Sequence, residues 1–296
     1  MPLLFKSNRI AISFVFITDK FLNQSQLKLF IELHQKGVVR LPSVLDESRL
    51  KTIAEASDRI FTHIEQLIRQ HGADRVKEHL PNTYHYLERS TSVSPIALSD
   101  YLNPREDILN LFANSLGMVL LEEILGREVV CNLTKSRVTK QYAPVNYHAL
   151  HLPNQWHQDG ALGVTFPTSD FLTSAPYIGE DMTAMVICWI PLVDCFGDRP
   201  CLEFIKQPCD RLLHYEYLND RELEKLFAPQ DFWAPELKRG DMLIFLNGTL
   251  HRTYVTEAMK SDRTSIELRF MPPQQIPPWM QSDRFAQISP QTTYIH

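Results

Sequence analysis

Between residues 23 and 36 the apolar positions Leu27, Phe30, Ile31 and Leu33 recur at helical spacing. Asn23 or Ser25 is placed to cap the start and Gly37 to end it, so the pattern predicts a short amphipathic helix. "VVRLP" (38–42) then reads as a brief strand. Asp46 opens a longer helix whose Leu50, Ile53, Ala54, Ile60, Phe61, Ile64, Leu67 and Ile68 share one stripe, a width that points to core packing. Residues 72–103 are polar and irregular, and Pro104 suits the first turn of a third helix reaching about residue 125, where Gly126 closes it.

From residue 128 the texture changes. "EVVCNLTKSRVTKQY" alternates and is rich in β-branched residues, and "TAMVICWIPLVD", "CLEFI", "GDMLIFLNG" and "RTSIELRF" follow as strand-like runs parted by Pro, Gly and Asp. Helices first and many short strands afterwards predict a mainly β chain, a jelly roll of roughly 150 residues backed by N-terminal helices on one outer face. The expected layout is one domain over 1–296: a helical part to about 126, a core over about 127–272, and a Pro-rich tail over 273–296 lying along the body. The connection 161–181 is long for a compact domain and is expected to order over a bound substrate.

Charge and cysteine content narrow the function classes. Thirty Lys and Arg against 35 Asp and Glu give a net charge of -5, and no basic run marks a nucleic-acid or anionic-membrane partner. The five cysteines are odd in number and contain no C-x-x-C pair, which points to a reducing, cytoplasmic setting. "IAISFVFI" (10–17) is too short to cross a bilayer and reads as a strand or a segment packed on the body. The expected partner is a small molecule.

"NQWHQDGALG" (154–163) carries the candidate chemistry. On a strand, His157 and Asp159 share a face while Gln158 points away, the spacing that two metal ligands on one strand end require. A third ligand belongs on another strand, and His251, following a turn, a buried run and a second turn in "GDMLIFLNGTL", supplies it. Two imidazoles and one carboxylate leave three coordination positions open, the arrangement of non-haem Fe(II) oxygenases. Such iron needs a reductant for O2; 2-oxoglutarate is the usual one, and its distal carboxylate favours a bidentate Arg over Lys. Arg263 lies 12 residues beyond His251 on the next strand, with Ser265 and Arg269 on the same face. Lys135, Arg137 and Gln141 share parity on their strand, as either a solvated face or ligand contacts. Trp156 reads as a core aromatic or a pocket wall. His148 and His151 in "HALH" lack the Glu of a metalloprotease helix and read as an entrance loop.

These segments occur in an order that resembles the phytanoyl-CoA dioxygenase (PhyH-like) family over roughly 21–272. "LNQSQLKLFIELHQKGVVRLPSVLDESRLKTIAEA" is similar to its N-terminal helix, strand and helix, "WHQDG" to its first metal motif, "CLEFI" to its mid-barrel strand, and "GDMLIFLNGTLH" with Arg263 to its distal segment. The resemblance implies a double-stranded β-helix, Fe(II) held by His157, Asp159 and His251, and 2-oxoglutarate held by Arg263 with Ser265. "KSRVTK" (135–140) is similar to the strand that contributes cosubstrate or substrate contacts in the ectoine hydroxylase branch. That implies Lys135 as a cosubstrate contact and leaves Arg137, Gln141, Trp156 and Arg269 as substrate contacts. The resemblance also implies that Asp159, which related halogenases replace by a small residue, favours hydroxylation or desaturation, with succinate and CO2 as coproducts. The segments "DRP" and "QPC", around "CLEFI", depart from the family's Asn-Gly and Gly-Ser-His, so no particular substrate carries over. A non-catalytic or differently metallated jelly roll that binds a small molecule is the alternative.

Overall fold

Asn23 starts the first helix through a reciprocal cap: its side chain accepts the Gln26 N–H while the Gln26 side chain accepts the Asn23 N–H. This helix, α1 (Gln24–Lys36), stops at Gly37, whose φ of +74° costs a side-chain-free residue little. The computed structural model describes residues 23–72, 84–87, 90–93, 116–126, 128–146, 155–166, 176–179 and 182–288. The expectations for 10–17, for the start of the third helix, for His148 and His151, and for most of the 161–181 connection lie outside them.

After β1 (Val38–Leu41), Asp46 caps α2 (Glu47–His71). Its buried face includes Ala56 and Ser57 beside Leu50, Ile53, Ile60, Phe61, Ile64 and Ile68, with Ala54 and Leu67 packed at the margin. Two strands, β2 (Tyr84–Leu87) and β3 (Ser90–Val93), precede α3 (Leu116–Leu125), which Gly126 closes. The remaining elements are β4 (Val130–Asn132), β5 (Arg137–Gln141), β6 (Tyr177–Gly179), β7 (Val186–Pro191), β8 (Cys201–Ile205), β9 (Leu212–Leu213), α4 (Asp220–Leu226), β10 (Phe232–Trp233), β11 (Met242–Leu246), β12 (His251–Tyr254), β13 (Arg263–Met271) and β14 (Phe285–Gln287).

All the strand pairings among the described residues are antiparallel. The large sheet runs β1-β11-β7-β13-β5-β3-β2, with β4 joining the end of β13 and β14 joining β4; β10-β8-β12 form the facing sheet, and β6 pairs with β9. This is the double-stranded β-helix. Strand alternation sorts the core into two layers. Ile266, Leu268 and Phe270 of β13 face outward into the layer shared with Leu33, Ile60 and Phe61 of the helices. Ile187, Trp189, Leu243 and Phe245 face inward against Phe204 of the smaller sheet.

Four features differ from the order that the sequence suggests, the first being that the stretch 72–103, expected to be irregular, contributes β2 and β3 to the large sheet. β1, between the first two helices, is not part of the helical support but the edge strand of the large sheet, paired with β11. The alternating run from residue 128 breaks at a turn into β4 and β5, which pair with opposite ends of β13. The Pro-rich tail contributes β14 and the buried Met280. Alternation reports which face of a strand is buried but not which neighbour it pairs with. Among the described residues no helix is long and apolar enough to cross a membrane.

Candidate metal centre

His157 and His251 are joined backbone to backbone: each donates its N–H to the other's carbonyl, at 3.0 and 3.1 Å. Two segments 94 positions apart in the sequence therefore arrive side by side, with the imidazole centroids 4.2 Å apart. The ligand segment is not a continuous strand. His157 occupies this two-residue bridge, and Asp159 opens a 3-10 turn (Asp159–Ala161). The Gly160 N–H donates to the Asn247 carbonyl at 2.8 Å and fixes the turn.

Gln158 faces away from the cluster and fastens it. Its amide donates to the carbonyls of Gly248 and Arg211, while its oxygen accepts the Leu213 N–H at 2.8 Å. Gly248 is required by close approach, since a Cβ there would lie 1.9 Å from the Cys209 carbonyl oxygen. The loop that delivers His251 is thus pressed against the segment that Gln158 braces.

One ligand atom each from His157, Asp159 and His251 lies within 4.8 Å of the others. The donor set fits a divalent transition metal on three observations. His157 Nδ1 is 2.7 Å from the Gln155 carbonyl and His251 Nδ1 is 2.9 Å from that of Thr249, so both Nε2 lone pairs are left to coordinate. Among the described residues Asp159 Oδ2, which is buried, has no hydrogen-bond partner, and it stands 3.9 Å from His251 Nε2. Burial, reinforced by the neighbouring His157, pushes His251 down to about 3, so its imidazole is neutral at ordinary pH. Burial alone would raise Asp159, but the charge of the Arg269 guanidinium and its hydrogen bond oppose it and hold the carboxyl well below the usual range.

The cluster opens on a pocket lined largely by polar side chains. β13 and β5 supply facing pairs there: Arg263 opposite Gln141, Ser265 opposite Thr139, Glu267 opposite Arg137. Arg263 is buried, with its guanidinium carbon 5.0 Å from the centre of the Trp189 ring. Among the described residues its Nε and the Ser265 Oγ, on one face of β13, are buried without hydrogen-bond partners.

The sequence-predicted residues divide into two groups. His157, His251, Arg263, Ser265, Arg137, Gln141 and Arg269 line one pocket, with Asp159 at its base. Lys135 and Trp156 do not join them. Lys135 sits in the turn before β5 with its ammonium 5.8 Å from the Trp279 ring centre, and Trp156 donates its indole N–H to Asp220 in a separate apolar cluster. Arg269, whose parity suggested a substrate contact, pairs with Asp159 and Glu267. Sequence reasoning passed over Thr253, Thr139 and Glu267, although parity with His251, Arg137 and Arg263 was the signal available.

A family model described as phytanoyl-CoA dioxygenase (PhyH) matches residues 33–261. No curated protein matches the chain. Among solved structures, EctD from S. alaskensis with bound Fe superposes with a TM-score of 0.59 at 14% identity, covering 89% of this chain and 86% of that one. HygX from Streptomyces hygroscopicus, with nickel and 2-oxoglutarate bound, gives 0.52 at 13%, covering 86% and 88%. SnoN, a non-haem α-ketoglutarate-dependent epimerase from nogalamycin biosynthesis, gives 0.53 at 16%, covering 90% and 96%.

Proposed function

The chain belongs to the phytanoyl-CoA dioxygenase (PhyH) family and is a 2-oxoglutarate-dependent non-haem iron oxygenase; from that premise we propose that it hydroxylates or desaturates an unactivated C–H bond of a small polar molecule. In this reading His157, Asp159 and His251 hold Fe(II), and Arg263 with Ser265 holds the distal carboxylate of 2-oxoglutarate. When bound, iron with 2-oxoglutarate and O2 supplies an oxidant able to remove hydrogen from such a bond, with succinate and CO2 as coproducts.

The single observation that carries the residue assignment is the meeting of the partnerless Asp159 Oδ2 with two imidazoles whose Nδ1 atoms are already engaged. The chain's own residues do the rest. The Gln155 and Thr249 carbonyls fix the ring orientations, and the facing Phe204 and Phe245 rings keep the base of the site apolar behind His251. The unpartnered donors of Arg263 and Ser265 orient the cosubstrate by a charge-assisted contact. SnoN, similar in fold, is an epimerase, so the fold alone does not select the outcome. Asp159 supports hydroxylation or desaturation because a carboxylate fills the position that a halide would need. Among the described residues the polar walls favour a polar substrate over a long alkyl chain.

Anaerobic addition of Fe(II) and 2-oxoglutarate should produce a weak visible charge-transfer band in the wild type and none in His157→Ala or His251→Ala. A wild-type protein that shows neither the band nor succinate release in air defeats the assignment.

A further inference from the structure

The two oxygens of Asp159 have different surroundings. Oδ1 accepts from Arg269 Nη2 at 3.2 Å, whereas Oδ2 has no hydrogen-bond partner among the described residues and lies 3.9 Å from His251 Nε2. Arg269 is itself clamped. Its Nη1 donates to the Lys135 carbonyl, its Nη2 also meets Glu267, and its backbone N–H donates to Ser136 Oγ at 2.9 Å. The partners come from the turn before β5 and from β13 itself, so the guanidinium reaches Asp159 from a fixed direction.

Resting on the reading above, we propose that Arg269 is a positioning residue of the metal centre: it occupies Oδ1, so that Asp159 presents only Oδ2 to the metal. The consequence concerns coordination number. Two imidazoles and one carboxylate oxygen leave three positions on an octahedral ion. 2-Oxoglutarate uses two of these, and O2 needs the third. A carboxylate free to turn both oxygens inward, as carboxylates do on larger or more open cations, would close that third position. A guanidinium opposes this better than an ammonium, because its planar fork anchors Nη1 on the Lys135 carbonyl and so fixes Nη2 between Asp159 and Glu267, and it stays protonated. The neighbouring Glu267 also keeps the buried arginine from adding a net positive charge beside the metal. With 7% of its surface exposed and its terminal nitrogens engaged, Arg269 has little to offer a substrate.

The test needs no substrate. Full-length wild type, Arg269→Gln and Arg269→Lys are loaded anaerobically with Fe(II) and 2-oxoglutarate, and the open position is titrated with nitric oxide as an O2 surrogate, read by its electron paramagnetic resonance signal. The glutamine variant should keep the iron and 2-oxoglutarate band, shifted in energy, yet bind nitric oxide at least about tenfold more weakly, the scale on which partners of metal ligands act. The lysine variant should fall between. Nitric oxide affinity and band energy equal to wild type in Arg269→Gln overturn the proposal. So does a loss of iron itself, which would make Arg269 a determinant of metal affinity instead. If the glutamine variant does not fold by circular dichroism, the lysine variant decides: weakened nitric oxide binding supports the proposal and unchanged binding ends it. Absence of the band in the wild type is a separate result, which defeats the iron assignment and not this role alone.

Discussion

Buried donors with no acceptor make the sharpest residue-scale expectation. If Arg263 grips the distal carboxylate of 2-oxoglutarate, Arg263→Gln removes a charge-assisted contact worth about 1.5–3 kcal/mol, a weakening of roughly ten- to hundredfold in 2-oxoglutarate affinity. Calorimetry on Mn(II)-loaded protein measures it, and an unchanged dissociation constant assigns the carboxylate elsewhere. His251 makes a pH prediction for the metal-free protein. Its pKa, lowered by burial to about 3 in the folded chain, returns to about 6.5 on unfolding, so below about 6.5 the unfolded state binds more protons. The stability that its neutral form contributes is complete above that pH and is lost progressively toward 3. Asp159, held below its usual range, acts in the same direction at lower pH. Chemical unfolding between pH 7 and 4 should show stability falling, with a flatter profile in His251→Gln; parallel profiles would refute the assignment. At this scale the gathering of His157, Asp159, His251 and Arg263 at one site was legible in the sequence, because a two-residue spacing and strand parity are local. The pairing of Arg269 with Asp159 depends on a turn that brings residue 159 to β13, and no spacing records that contact.

β13 shows how one element serves two ends. Its alternate residues Arg263, Ser265, Glu267 and Arg269 face the pocket, while Ile266, Leu268 and Phe270 pack toward the helices. Truncating the helical partner should therefore cost stability before it costs chemistry. Phe61→Ala, at a side chain only 1% exposed, should destabilise by about 3–5 kcal/mol, read as a lower unfolding midpoint, with the iron and 2-oxoglutarate band retained below it. The turn before β12 behaves oppositely. Gly248→Ala would force a Cβ into the Cys209 carbonyl, so the loop must shift and carry His251 with it. Weaker iron binding with every ligand intact is the expected result, and wild-type iron affinity would show that the loop adjusts without moving the imidazole. α1 and α2 were legible to their caps because Asn23, Gly37 and Asp46 act within a few residues of themselves. The split of the 128–142 run into β4 and β5 was not, since partners on β13 and β14 decide it.

For the whole molecule, α1, α2 and α3 share one apolar layer with β7, β11 and β13, and the strand between the first two helices completes the large sheet. We propose on this ground that the chain is one cooperative domain, which a single thermal transition seen alike by far- and near-ultraviolet dichroism would support and two separated transitions would refute. The sequence by itself determined the bounds of α1 and α2, the main strand runs and the two faces of β13, all set by periodicity and by contacts a few positions long. Only the tertiary structure decided that β1 closes the sheet edge, that Lys135 and Trp156 lie away from the pocket while Thr253 and Glu267 line it, and that Asp159 accepts from Arg269 through Oδ1 while Oδ2 turns toward His251. Those outcomes follow from which strands pair and where turns aim side chains, and that pairing is chosen by the summed burial of the whole core.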